Sequence, residues 1–100
     1  MQKLKIEPAG FFRVLWTSAR SRVATMVLSP GAESSGGLEA HAGDQVTYCL
    51  EGSGTVETPD GSARLRPGEL LALEARERHR FVNTGASDWK VLVFYAPPEY

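Results

Sequence analysis

An all-β domain, a sandwich or a closed barrel, is the fold class this sequence predicts. Three observations predict it. Short runs rich in β-branched and aromatic residues recur along the chain, Gly- and Pro-bearing turns separate them at even spacing, and helical periodicity is almost absent.

The first predicted strand is Phe11-Phe-Arg-Val-Leu-Trp16, and the second is Ser21–Leu28, which stops at the turn signal Ser29-Pro-Gly31. Ala32–Gly37 reads as a loop. Gln45–Leu50 is a strand turned by Glu51-Gly-Ser-Gly54, and Thr55–Thr58 begins the return. Pro59-Asp-Gly61 is a tight hairpin turn built from residues that favour each of its positions. Ala63–Arg66 follows and ends at Pro67-Gly68. Residues 69–78 are rich in Leu, Ala, Glu and Arg, which favour helix by propensity. The Pro-Gly in front and the strand-like Phe81-Val82 beyond leave little room for one, so Leu70–Leu73 is read as strand and the rest, through Arg78, as loop. Trp89–Tyr95 is the strongest strand pattern and is bounded by Pro97-Pro98.

One hundred residues fit one domain, and no repeat, low-complexity tract or linker divides residues 1–100. A chain of this size buries only roughly two-thirds of its unfolded surface, so its core is thin and pairing with a second copy would help. A formal net charge of −1, with the arginines scattered, argues against a nucleic-acid partner. No signal peptide or membrane-spanning run is visible, and a cytoplasmic location is expected. The lone cysteine, Cys49, excludes an internal disulfide and reads as a buried, inert thiol.

Both histidines stand in strand-like contexts. Glu39 and His41 are two apart and share a face on an extended backbone; Gln45, Thr47 and Cys49 share another, and His79, Phe81 and Asn83 a third. If the three runs line one cavity, two imidazoles, a carboxylate and an amide oxygen converge, as in a metal site. Each histidine taken singly reads more readily as a hydrogen-bonded barrel residue than as a ligand.

The same residues resemble the paired signatures of the cupin superfamily, RmlC-like jelly-roll barrels also described as double-stranded β-helices. Gly37, Glu39, His41, Gln45 and Gly52 fall in the places of the first signature. Gly61, Pro67-Gly68, His79 and Asn83 fall in those of the second. The first signature is a variant: Glu39 stands where a histidine is usual, and Gln45 where a glutamate is usual. Only His41 and His79 match as they stand.

The resemblance implies a single-domain jelly-roll barrel with a divalent transition metal, Zn, Ni, Mn, Fe or Co, held by Glu39, His41, Gln45 and His79. The carboxylate has moved across the site, so the donor charge is unchanged. Thr47, Cys49, Phe81 and Asn83 are expected to line the pocket, with Tyr48 or Trp16 as further candidates and Asn83 alternatively a structural cap. Should Glu39 not bind the metal, it becomes the natural general base. The implied function is binding or transformation of a small organic molecule, and an enzyme of this type would be a metal-dependent dioxygenase, isomerase or lyase. The alternatives are a non-catalytic sugar- or acid-binding sensor module and a structural dimer with a degenerate site. A homodimer is expected, with Leu4-Lys-Ile6 crossing onto a partner sheet.

Overall fold

Alternation of apolar and polar side chains sets the strands of this protein, described here over residues 1–98 of a computed structural model. They are β1 (Phe12–Thr17), β2 (Arg22–Leu28), β3 (Asp44–Glu51), β4 (Gly54–Thr58), β5 (Gly61–Leu65), β6 (Leu70–Leu73), β7 (Arg80–Val82) and β8 (Trp89–Ala96). The Leu-rich stretch with helical propensity folds as β6. Its Leu71 and Leu73 pair with Thr47 and Gln45, and Leu73 joins the core, so tertiary burial outweighs local preference.

The strands form two antiparallel sheets, one in the order β1-β2-β8-β3-β6 and the other in the order β5-β4-β7. The inner faces pack together as a jelly roll. From β2 come Ala24, Met26 and Leu28, from β8 Trp89, Val91, Val93 and Tyr95, and from the smaller sheet Val56, Leu65 and Phe81. Phe81 and Trp89 meet across the sheets with ring centroids 5.8 Å apart. Truncating either ring would cost about 3–5 kcal/mol.

Along β3, β7 and β8 the two ends of the barrel differ. One end is filled. Trp89 donates its indole N–H to Cys49 Sγ at 3.3 Å, and its ring lies so close to Gly54 that any Cβ there would strike it. Asn83 closes the same end, donating to the carbonyls of Leu28 (2.7 Å) and Ser87 (2.8 Å) and accepting from Gly85 N–H (2.8 Å). The other end carries Gln45, His79 and Tyr95 and is open.

The loop after β2 forms the remaining wall. Two isolated bridges, Glu33 with Val82 of β7 and Glu39 with His79 just before that strand, hold the loop in place. Between them Ser34 exchanges two hydrogen bonds with the Phe81 backbone (2.8 and 2.9 Å). On the outward face of β7, Arg80 binds Glu57 through Nε (3.0 Å) and Glu33 through Nη1 (3.2 Å), tying loop, β7 and β4 together. That hydrogen bond to Glu57 raises the already high guanidinium pKa.

The outer face of the five-stranded sheet is unusually apolar. Trp16, Tyr48, Leu70 and Phe94 are all exposed there. Leu4 and Ile6, also exposed, line a shallow groove with Leu15, Trp16, Val23 and Leu92, so the N-terminal segment lies along its own sheet.

Candidate metal centre

Backbone geometry brings the histidines together before any ligand is considered. The Glu39–His79 bridge has N···O distances of 2.9 and 2.8 Å, which sets Glu39 beside His79. His41 follows two residues later on the same face, and its carbonyl accepts the Arg76 N–H at 2.7 Å. Arg76 reaches it from a left-handed conformation (φ 70°), a position where a non-glycine residue is strained. The imidazole centroids stand 5.2 Å apart, and His41 Nε2 lies 3.9 Å from Glu39 Oε1.

One donor atom from each of Glu39, His41 and His79 lies within 4.8 Å of the other two. Donors about 2.1 Å from a shared ion stand roughly 3–4 Å from one another, so small side-chain adjustments close the set. Both histidines are buried and Glu39 is half-buried, so the three donors sit away from bulk water on one side only.

His79 is held in the tautomer a metal needs. Its Nδ1 lies 2.9 Å from the Glu77 carbonyl. A carbonyl only accepts, so Nδ1 carries the proton and Nε2 keeps its lone pair, as is common for metal-binding histidines.

Gln45 lies on the same end of β3, between Leu73 and Tyr95 on neighbouring strands. Its amide N–H₂ donates to Thr47 Oγ1 at 3.3 Å, while its Oε1 is buried with no hydrogen-bond partner among the described residues. A buried oxygen left bare is costly, by about 1–3 kcal/mol, unless something electropositive meets it. Two imidazoles, one carboxylate and an orphaned amide oxygen therefore suit a divalent cation. Asp44, the neighbouring carboxylate, points away and accepts the Ala75 N–H at 3.0 Å.

These groups form the floor of a cavity of about 260 Å³, whose walls are Phe11, Phe12, Met26, Ser34, Phe81 and Tyr95. Of the residues expected to line it, Phe81 does. Thr47, Cys49 and Asn83 are buried on the expected faces but lie deeper. Cys49 is four residues down β3 from Gln45, about 13 Å at strand rise, and its thiol packs beneath Trp89. Thr47 instead supports the Gln45 amide, and Asn83 is the structural cap of the filled end. Tyr48 and Trp16 are on the outer face. Burial raises the Cys49 thiol pKa above its ordinary 9.0, opposed in part by the bond from Trp89.

The sequence reading missed Phe11, Phe12, Met26, Ser34 and Tyr95 as wall residues. Tyr95 had a signal, since it continues the two-residue period of Trp89, Val91 and Val93. Met26 had one in its alternation with Ala24 and Leu28. Ser34 sits in a polar loop and carried none.

A family profile described as Cupin domain matches residues 24–95. The chain is a cupin. Among solved structures, this cupin is 30% identical to BH2720 from Bacillus halodurans, with 91% of this chain and 73% of that one aligned at a TM-score of 0.83. It is 31% identical to TT1209 from Thermus thermophilus, with 86% and 81% aligned at a TM-score of 0.78. It also resembles a sugar phosphate isomerase of the cupin superfamily from Silicibacter pomeroyi, 26% identical, with 79% of this chain and 52% of that one aligned at a TM-score of 0.71. This cupin thus spans about half the isomerase's length. Comparison with curated proteins returned no match. No helix among the described residues is long and apolar enough to cross a membrane.

Proposed function

We propose that this cupin holds a divalent transition metal with His41, His79 and Glu39, with Gln45 Oε1 as a fourth, weaker donor, and that the ion presents a small organic molecule to the cavity above it. The observation that carries the reading is the meeting of three metal-capable side chains from two separate chain segments within 4.8 Å, beside an unsatisfied buried oxygen. A bound ion supplies Lewis acidity and a fixed anchor for ligand oxygens. The chain's own part is to orient: the Glu77 carbonyl fixes the His79 tautomer, the Arg76 N–H fixes the His41 backbone, and the aromatic walls exclude water.

Elemental analysis of protein purified without a metal-affinity tag tests this directly. Near-stoichiometric metal in the wild type and its loss in both His41→Ala and His79→Ala is the expected result. Absence of metal, together with a melting temperature unmoved by added Zn²⁺, Mn²⁺, Ni²⁺ or Fe²⁺, would overturn it, because a ligand of the native state must raise that temperature.

A second reading is favoured by the scarcity of proton-transfer groups. Once Glu39, His41 and His79 are ligands, the titratable group left on the described cavity wall is Tyr95. A module that binds its ligand without transforming it fits that lining; turnover of a candidate substrate by the metal-loaded protein decides between the two.

We further propose a homodimer. The exposed Trp16, Tyr48, Leu70 and Phe94 on one sheet face, with Leu4 and Ile6 beside them, form an apolar surface of the kind partner subunits cover. A monomer by light scattering across micromolar concentrations would contradict it.

A further inference from the structure

The filled end of the barrel carries a second hollow on its outside, polar where the metal-end cavity is apolar. Three turns meet there: Gly52-Ser53 after β3, Arg66-Pro67 after β5, and Gly85 to Ser87 before β8. With Arg64 of β5 they bound a space of about 250 Å³. Gly52 lies seven residues beyond Gln45, roughly 23 Å at strand rise, and no residue lines both hollows.

Backbone contacts make the floor rigid. Gly52 is left-handed (φ 74°) and so close to the next turn that a Cβ would strike the Asp88 carbonyl. Asn83 pins that turn, accepting from the Gly85 N–H and donating to the Ser87 carbonyl, both at 2.8 Å.

The charge comes from β5 and its exit. Leu65 is buried, so Arg64 and Arg66 on either side of it are both turned outward on one face. Arg64 Nη2 donates to Ser53 Oγ at 2.9 Å, which holds the guanidinium against the wall and leaves the Ser53 hydroxyl its own hydrogen to give. Among the described residues neither guanidinium is ion-paired, whereas Arg80 and Lys90 both are. No carboxylate among those residues lines the hollow. Of the acids on the same turns, Glu51 binds Lys90 Nζ (3.1 Å) and Glu69 accepts the Arg66 backbone N–H (2.8 Å). Asp88 is exposed and stands outside the lining.

Two unpaired guanidinium groups beside the hydroxyls of Ser53 and Ser87 match an oxyanion, which the planar fork of arginine binds through paired N–H donors. A dianion engages both charges, where a carboxylate answers only one. The space is larger than a bare phosphate and admits a small group attached to it. We propose that this hollow is a second ligand site, which takes the phosphoryl group of a small phosphomonoester between Arg64 and Arg66. It stands or falls independently of the metal centre.

The test uses the full chain, freed of metal by chelation and dialysis so that phosphate finds no ion at the other end. Glycerol 3-phosphate and inorganic phosphate are titrated at low, constant ionic strength, with glycerol and sodium chloride as controls, by calorimetry and amide NMR shifts. Saturable binding of glycerol 3-phosphate at about 1 mM or tighter is expected, with the shifts gathered at Ser53, Gly85 and Ser87. Arg64→Gln should weaken it at least about tenfold and Arg66→Gln at least about threefold. Both residues are exposed, so these variants spare the fold. Inorganic phosphate binding as tightly as the ester would overturn the ester and keep the oxyanion site. A response no greater than that to sodium chloride, shifts gathered instead at Glu39, His41 and His79, or wild-type binding by Arg64→Gln would each overturn the site itself.

Discussion

Glu39 and His79 form a lone antiparallel bridge, their backbones exchanging hydrogen bonds of 2.9 and 2.8 Å outside any strand. The pairing brings the first and last members of the proposed ligand set side by side, so the backbone sets their spacing. The floor of the site is completed by Gln45, and the bare Oε1 of that residue separates fold from function. Gln45→Leu removes a buried unsatisfied oxygen, so metal-free protein should melt at the same temperature or slightly higher, a change within about 1 kcal/mol. The metal-induced rise in melting temperature should shrink. An undiminished metal response in thermal melts would show that the amide oxygen is no ligand.

Gly54 and Trp89 set the other end of the barrel. A methyl group at Gly54 has nowhere to go, since the atoms it would strike belong to a fully buried indole. Gly54→Ala should therefore destabilise the protein by about 1–3 kcal/mol through overpacking, seen as a clear drop in melting temperature. The metal stoichiometry of the folded fraction should not change, because the site lies at the opposite end.

Arg76 is exposed and held at φ 70°, yet its N–H is committed to the His41 carbonyl. Glycine relieves the strain and keeps the N–H, whereas proline cannot adopt this φ and has no N–H to give. Arg76→Gly should be neutral or stabilising by up to about 1 kcal/mol with metal affinity retained. Arg76→Pro should lower both stability and metal affinity. Denaturant melts and metal titrations of the two variants check the pair, and equal behaviour would refute the role given to this hydrogen bond.

Burial holds the Cys49 thiol neutral beyond its ordinary pKa of 9.0. Below that value the thiol is protonated in both folded and unfolded chains and contributes no pH dependence. As pH rises above it, the unfolded chain releases its proton first, so folded stability falls. Wild type should lose stability above about pH 9 more steeply than Cys49→Ala, in denaturant melts run in parallel. At about pH 8 the native thiol should resist alkylation and react fully once unfolded.

Much of this fold was legible because the side-chain period of a strand is two, and the sequence obeys it. Gln45, Thr47 and Cys49 face inward as the alternation requires, and so do His79, Phe81 and Asn83. Alternation gives the face but not the depth. Cys49 and Asn83 share faces with Gln45 and His79 yet sit at the filled end, a distinction fixed by which strands pair in which register. The cavity walls were obscure for the same reason: Phe12 and Met26 are cross-strand partners, and Phe11 and Ser34 come from segments whose positions local sequence does not specify. The left-handed Arg76 carried no glycine to announce it.

The wall segment between β2 and β3 is fastened by separate rungs at Glu33 and Ser34 to β7 and at Glu39 to His79 just before it, and the residues between the last two, Ser35 to Leu38, make no strand of their own. Their identity and number are thereby uncoupled from sheet register. Length changes or new side chains there would reshape the chamber's mouth while the anchoring points stay put, which makes this stretch the natural place to retune which molecules enter.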